Sequence, residues 1–307
     1  MSTKKVGLVL SSGGARGAAH IGVIEAIEAA GMEIAGISGS SIGGLIGAYY
    51  SCGHLRTYRD WLCSLDRVSV LRLMDITLNS RGFMRGEKVF RELEKFIPDV
   101  DIESLEIPVS IIAVDFHGAK TKVFNSGSMK DALRATVAIP TVLTPYQIDE
   151  TEYIDGGVLN PLPIDCLPPA DYDLIVAVDL NSRISYHPPS GFLPNPEEES
   201  KTLQIFQKAI TKWYNNATGG SSNEVEQKKP AKKLGMLDLM KESIDLMQNR
   251  ITELTIDKYP VDILIEISKQ AGSTFDFHRA EEFISLGKEL MEKQLEHFLK
   301  KEDEFFG

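Results

Sequence analysis

Within its first fifty residues the chain states one pattern twice: a short apolar run, a turn of glycines and serines, then a stretch with helical spacing. Val6 to Leu10 ends in Ser11-Ser12-Gly13-Gly14 and leads into Ala18 to Ala30, where Ala19, Val23 and Ile27 share a helical face. Ile34 to Ile37 runs into Gly39-Ser40-Ser41-Ile42-Gly43 and the helix-like stretch Ile42 to Tyr50. Gly31 stands where a helix C-cap is expected. Strands this short and apolar need cover on both faces, so two such βα units in succession point to a parallel sheet between helices. Further strands are predicted at Val109 to Phe116, Lys122 to Asn125, Leu174 to Leu180 and Ile263 to Ile267. Helices are predicted at Leu237 to Leu254 and Glu281 to Leu299. The expected class is α/β with a mostly parallel central sheet.

Other features narrow the function. With 33 Lys and Arg against 44 Asp and Glu the net charge is −11, and no concentrated basic patch offers a grip on phosphate backbones, so nucleic acid is excluded as a partner. Cys52, Cys63 and Cys166 form no CxxC pair, which fits a reducing cytoplasm and suggests neither disulfides nor zinc. No metal or organic cofactor is indicated. Lys4 and Lys5 before Val6 to Leu10 mimic a signal peptide, but Gly13, Gly14 and Arg16 end the apolar run too soon. Ile34 to Leu55 lacks charge and is long enough to span a bilayer, yet Gly36, Gly39, Gly43, Gly44 and Gly47 with Ser38, Ser40 and Ser41 suit a strand, a turn and a helix better. From residue 183 to 235 prolines, a Glu197-Glu198-Glu199 run and Thr218-Gly219-Gly220-Ser221-Ser222 mark an insertion, expected to be partly disordered and to act as a lid or docking segment. Within it Thr202 to Tyr214 has amphipathic helical spacing. Residues 1–182 and 236–299 are expected to form a single domain around it.

Gly39-Ser40-Ser41-Ile42-Gly43 matches G-x-S-x-G, the nucleophile elbow, in the strand-to-helix context that motif requires. A chain of this length carries such a match by accident about one time in ten. A plain Gly/Ser turn that lets a helix pack on the sheet would look alike. Ser12-Gly13-Gly14-Ala15-Arg16-Gly17 resembles a nucleotide fingerprint with Ser for the first Gly, but no acidic residue follows at the distance a ribose needs. The same loop suits an oxyanion hole, with backbone N–H groups at Gly13, Gly14 and Ala15 and positive charge from Arg16. A serine nucleophile needs a base. His54, His117, His187, His278 and His297 follow Ser41, and none sits convincingly for a triad. Asp155 in Tyr153-Ile154-Asp155-Gly156-Gly157 closes a predicted strand, and its glycines let the backbone bend away and leave the carboxylate facing a cleft; an ordinary Asp-Gly turn is the other reading.

Gly13-Gly14-Ala15-Arg16-Gly17, Gly39-Ser40-Ser41-Ile42-Gly43 and Asp155-Gly156-Gly157, in that order, resemble the three signatures of the patatin-like phospholipase family. Gly17 to Val23, Trp61 to Arg72 and Arg81 to Val89 look like its bacterial branch, related to the neuropathy target esterase catalytic domain. The likeness spans Val6 to Leu180 strongly and Met236 to Leu299 weakly. It implies a three-layer α/β/α sandwich and a Ser/Asp dyad, with Ser41 as nucleophile, Asp155 as base and Gly13, Gly14, Ala15 and Arg16 as oxyanion loop. Arg134 to Pro140 resembles the stretch expected to line the acyl pocket. Ser12 departs from the family, which often has Gly there.

The expected activity is hydrolysis of lipid carboxylic esters, by an esterase, phospholipase or lysophospholipase. The alternative is a regulatory or scaffold protein that keeps the fold and acts through binding. A lipid substrate brings with it an expected peripheral contact with the inner face of the membrane, for which the apolar segment containing Met74, Ile76, Leu78, Phe83 and Met84 is the predicted flap. The sequence fixes no oligomeric state.

Overall fold

In strand β1 (Lys5–Leu10) Val6, Leu8 and Leu10 face one apolar cluster and Val9 faces another, all four fully buried. That is how a strand covered on both faces must alternate. The computed structural model describes residues 3–73, 87–140, 142–192 and 236–306. It divides into a unit of residues 1–189 and 244–307 and a smaller one of 190–243. The sheet belongs to the larger unit. It contains β2 (Glu33–Ser40), β3 (Val109–Asp115), β4 (Lys120–Phe124), β5 (Tyr146–Ile148), β6 (Thr151–Asp155), β7 (Leu174–Ser182) and β8 (Ile263–Ser268).

Five of these strands run parallel in the order β3-β2-β1-β7-β8. The other three join through antiparallel pairs: β4 and β6 pair with β3, and β5 pairs with β6. The predicted class, α/β with a mostly parallel sheet flanked by helices, is the observed one. The hairpin β5–β6 carries no apolar-run signal, because β5 has three residues and none is fully buried.

One face of the sheet carries α1 (Ala18–Ala29), α2 (Ile42–Ser51) and α8 (Ala280–Phe306). Around them stand α3 (Leu55–Cys63), α4 (Arg67–Leu73), α5 (Glu87–Leu93) and α6 (Met129–Thr136). On the other face Val9 and Ala177 pack with Leu162 and Ile164 and with Ile256 and Tyr259, the former from α7 (Met236–Lys258) and the latter just beyond it. First and last helices touch backbone to backbone: a Cβ on Gly22 would lie 1.9 Å from the Ile284 carbonyl oxygen, and one on Gly287 2.0 Å from that of Ala19.

Ile34 to Leu55 resolves into β2, a turn, α2 and the start of α3, as its glycines predict. Among the described residues no helix is long and apolar enough to cross a membrane. The Thr202 to Tyr214 helix and the segment containing Met74, Ile76, Leu78, Phe83 and Met84 lie outside the described residues. Leu10, the last residue of β1, pairs with Gly39 of β2 and Val178 of β7, so Ser41 follows at the carboxyl edge of the sheet, where open α/β sheets place their ligands.

Candidate active site

β2 ends at Ser40 and α2 begins at Ile42, so Ser41 alone makes the turn, at φ 55° and ψ −123°. Such a conformation costs a non-glycine residue on the order of 1–3 kcal/mol and is kept only where the surroundings enforce it. The flanking glycines are a steric necessity. A Cβ on Gly39 would stand 2.4 Å from the Gly43 carbonyl, and one on Gly43 would stand 2.2 Å from the Leu10 oxygen. The Ser41 N–H donates to Thr136 Oγ1 at 2.8 Å, and the Thr136 hydroxyl donates in turn to the Ile112 carbonyl on β3. Behind Ser41 the first N–H groups of α2 have no intrahelical acceptor, so the positive end of the helix lies at the serine.

Asp155 closes β6 opposite Ala113 of β3, and its N–H donates to the Ala138 carbonyl at 3.0 Å. Its carboxylate is buried. Oδ1 accepts the Gly157 N–H at 2.7 Å and Oδ2 accepts the Ser41 hydroxyl at 2.5 Å, across 114 residues of sequence. The paired glycines again permit close approach: a Cβ on Gly156 would lie 2.2 Å from the Ile112 oxygen, and one on Gly157 2.7 Å from Ser12 Oγ. Burial raises the Asp155 carboxyl to about 6, against the two hydrogen bonds that favour its ionised form. It is therefore ionised at neutral pH and more basic than an ordinary Asp.

No imidazole hydrogen-bonds to Ser41 Oγ among the described residues. His117 contacts Glu152, and His278 accepts from Arg67 Nε at 3.1 Å. His187 and His297 are exposed. A search downstream of Ser41 passes over His20, which is fully buried in α1 with Nε2 2.9 Å from the Ser11 carbonyl. Burial drives its pKa down to about 4, so it is neutral, and a carbonyl partner requires the proton on Nε2. It holds the loop before Gly13.

The patatin-like phospholipase family model matches residues 8–167, more than half of the chain. The chain belongs to the patatin-like phospholipase family. An uncharacterized NTE family protein of Mycobacterium tuberculosis is 33% identical over 341 residues, covering 99% of this chain and 94% of that one. The Drosophila melanogaster neuropathy target esterase sws is 30% identical over 190 residues, 60% of this chain and 13% of that protein. Human patatin-like phospholipase domain-containing protein 6 is 31% identical over 186 residues, 58% of this chain and 13% of its own length.

In this patatin-like chain the Gly-rich loop lies against both halves of the Ser41–Asp155 pair. A Cβ on Gly17 would strike the Ile42 side chain at 2.2 Å, and Ser12 Oγ is the neighbour of Gly157. Two of the four expected donors are used elsewhere. The Ala15 N–H donates to the Thr274 carbonyl at 2.9 Å, which corrects its expected place in an oxyanion hole. Arg16 is buried, and its guanidinium donates to Leu180 O at 2.9 Å, Gly272 O at 2.6 Å and Asn181 Oδ1 at 2.9 Å. It clamps the loop to β7 and to the segment after β8, where positive charge toward an oxyanion was expected. Among the described residues the N–H groups of Gly13 and Gly14 have no acceptor.

The stretch Arg134 to Pro140 also differs from expectation. Arg134 lies 3.7 Å over the Phe90 ring, Thr136 holds Ser41 and the Ala138 carbonyl holds Asp155, so three of its residues support other side chains or the pair itself. Thr136 and Asn181 are functional candidates that motif reading misses. A polar residue at the carboxyl end of an apolar strand is the signal that marks Asn181.

Proposed function

We propose that the chain is a serine hydrolase of lipid carboxylic esters, a phospholipase or lysophospholipase working through a Ser/Asp dyad. The carrying observation is the 2.5 Å hydrogen bond from Ser41 Oγ to Asp155 Oδ2 at a strained strand-to-helix turn. Asp155 takes the hydroxyl proton as Ser41 Oγ bonds to the ester carbonyl carbon, and the negative charge on the carbonyl oxygen is met by the Gly13, Gly14 and Ile42 N–H groups. Collapse of the tetrahedral species breaks the C–O bond to the alcohol, which receives the proton from Asp155. Water then attacks the acyl-serine, giving a proton to Asp155, which returns it to Ser41 Oγ as the acyl C–O bond breaks and the carboxylic acid is released.

A lipid surface is the proposed place of work. Ile244, Met247 and Leu254 expose a stripe along α7, and Gln248 of the same helix donates to the Gly157 carbonyl at 2.8 Å, beside the dyad. The test of the chemistry is Ser41→Ala with a fluorophosphonate probe. The wild type should be labelled at Ser41 and hydrolyse phospholipid, lysophospholipid or short-chain esters, and the variant should do neither; hydrolysis that survives Ser41→Ala refutes the reading.

A further inference from the structure

Asn181 stands near the end of β7 and touches neither Ser41 nor Asp155 by any hydrogen bond among the described residues. Its Oδ1 accepts from Arg16 Nη2 at 2.9 Å, and since a guanidinium only donates, the amide nitrogen is fixed on the other side, where Nδ2 donates to the Ser12 carbonyl at 2.7 Å. Ser12 O and the Gly13 N–H belong to one planar trans peptide and point in opposite directions. A bond that fixes the carbonyl therefore aims the N–H. The neighbouring peptides are fixed by other partners: the Ser12 N–H donates to the Pro161 carbonyl at 2.9 Å, and the Ala15 N–H to that of Thr274. Asn181 is itself held, its own N–H donating to Asp179 Oδ1 at 2.9 Å.

We infer that Asn181 is a positioning residue of the ester-hydrolysis reaction: through the Ser12 carbonyl it sets the direction of the Gly13 N–H toward the oxyanion, with Arg16 fixing the orientation of its amide. The inference rests on the hydrolase reading above. The only other hydrogen bond to the Ser12 carbonyl among the described residues comes from Ser11 Oγ at 3.2 Å, a longer contact with the adjacent residue. Gly13 has no side chain to restrict its peptide, and a Cβ there would lie 2.6 Å from Leu180, so the loop cannot be stiffened by a bulkier residue in its place. The aim of the N–H must come from outside the loop.

Asn181→Asp tests this, because it keeps the acceptor for Arg16 and the side-chain shape while replacing the donor to Ser12 O by a carboxylate oxygen. Rates are measured per fluorophosphonate-titrated site, on an ester and on its thionoester, whose developing charge rests on sulfur, a poor acceptor that gains little from an N–H donor. The expected result is kcat lower by about 10- to 100-fold with KM within about twofold, and an ester-to-thionoester rate ratio reduced with it. An unchanged kcat per titrated site overturns the inference, as does a lowered kcat with an unchanged ratio, which marks a merely structural role. If Asn181→Asp does not yield folded protein, Asn181→Ala is measured in the same way with the same two outcomes. Failure of the hydrolase reading is recognised separately, by activity that survives Ser41→Ala.

Discussion

Burial that raises the Asp155 carboxyl to about 6 links activity to stability at a single residue. As a base it must be ionised, so kcat/KM is expected to fall about tenfold per pH unit below pH 6 and to level off above it, measured with a short-chain ester. Stability runs the other way. A carboxyl whose folded-state pKa is raised binds its proton more tightly in the native chain, so its contribution is fully present below the ordinary value of 3.8 and is lost as pH rises through 6. Asp155→Asn removes that loss. The variant should be inactive yet more stable than the wild type at pH 8, by up to about 3 kcal/mol, with the gain vanishing near pH 4 in urea titrations. Equal stability at pH 8 would mean that the carboxylate is not desolvated as described. Ser41 and Asp155 were legible in the sequence because Ser41 sits between, and Asp155 just before, glycines that the backbone needs for close approach. Thr136 was not, since a lone polar residue gains meaning only from what faces it, and Asn181 was marked by nothing more than its place at the end of an apolar strand.

Glycine works differently at the level of helices. The α1–α8 crossing has no room for a methyl group, so Gly22→Ala must force the two backbones apart and should cost roughly 2 kcal/mol or more, read as a drop of several degrees in Tm. Gly31, with φ 71° and nothing within 4 Å of a Cβ, should accept Asn with a loss of less than about 1 kcal/mol and unchanged activity. The exposed stripe on α7 makes a separate prediction. Met247→Ser with Leu254→Ser, at residues 58% and 51% exposed, should weaken sedimentation with phosphatidylcholine vesicles and turnover on them, while soluble short-chain esters are hydrolysed as before. Vesicle binding equal to wild type would remove the stripe from the proposal. Among the elements, the parallel strands were readable because double burial leaves near-continuous apolar runs such as Val109 to Val114. The edge strand β5 was not, because a half-exposed strand of three residues has no periodicity to detect.

Over the whole molecule the sheet is completed late in the chain. β8 pairs with β7 through Val176–Ile263 and Val178–Ile265, and α8 covers α1, so the order of strands in space sets the C-terminal quarter beside the N-terminal one. A chain ending at residue 243 leaves Val176, Val178 and the face of α1 without cover and should show no cooperative thermal transition; a sharp melt from that fragment would contradict the described packing. The loop that bears Gly13 depends on the same closure, because Arg16 donates to the Gly272 carbonyl and Ala15 to that of Thr274. A nascent polypeptide still inside the ribosome beyond Val261 therefore carries its serine and its carboxylate without the anchors that shape the loop between them. Synthesis itself would then act as a safety catch, withholding the finished loop from every copy whose sheet is still incomplete.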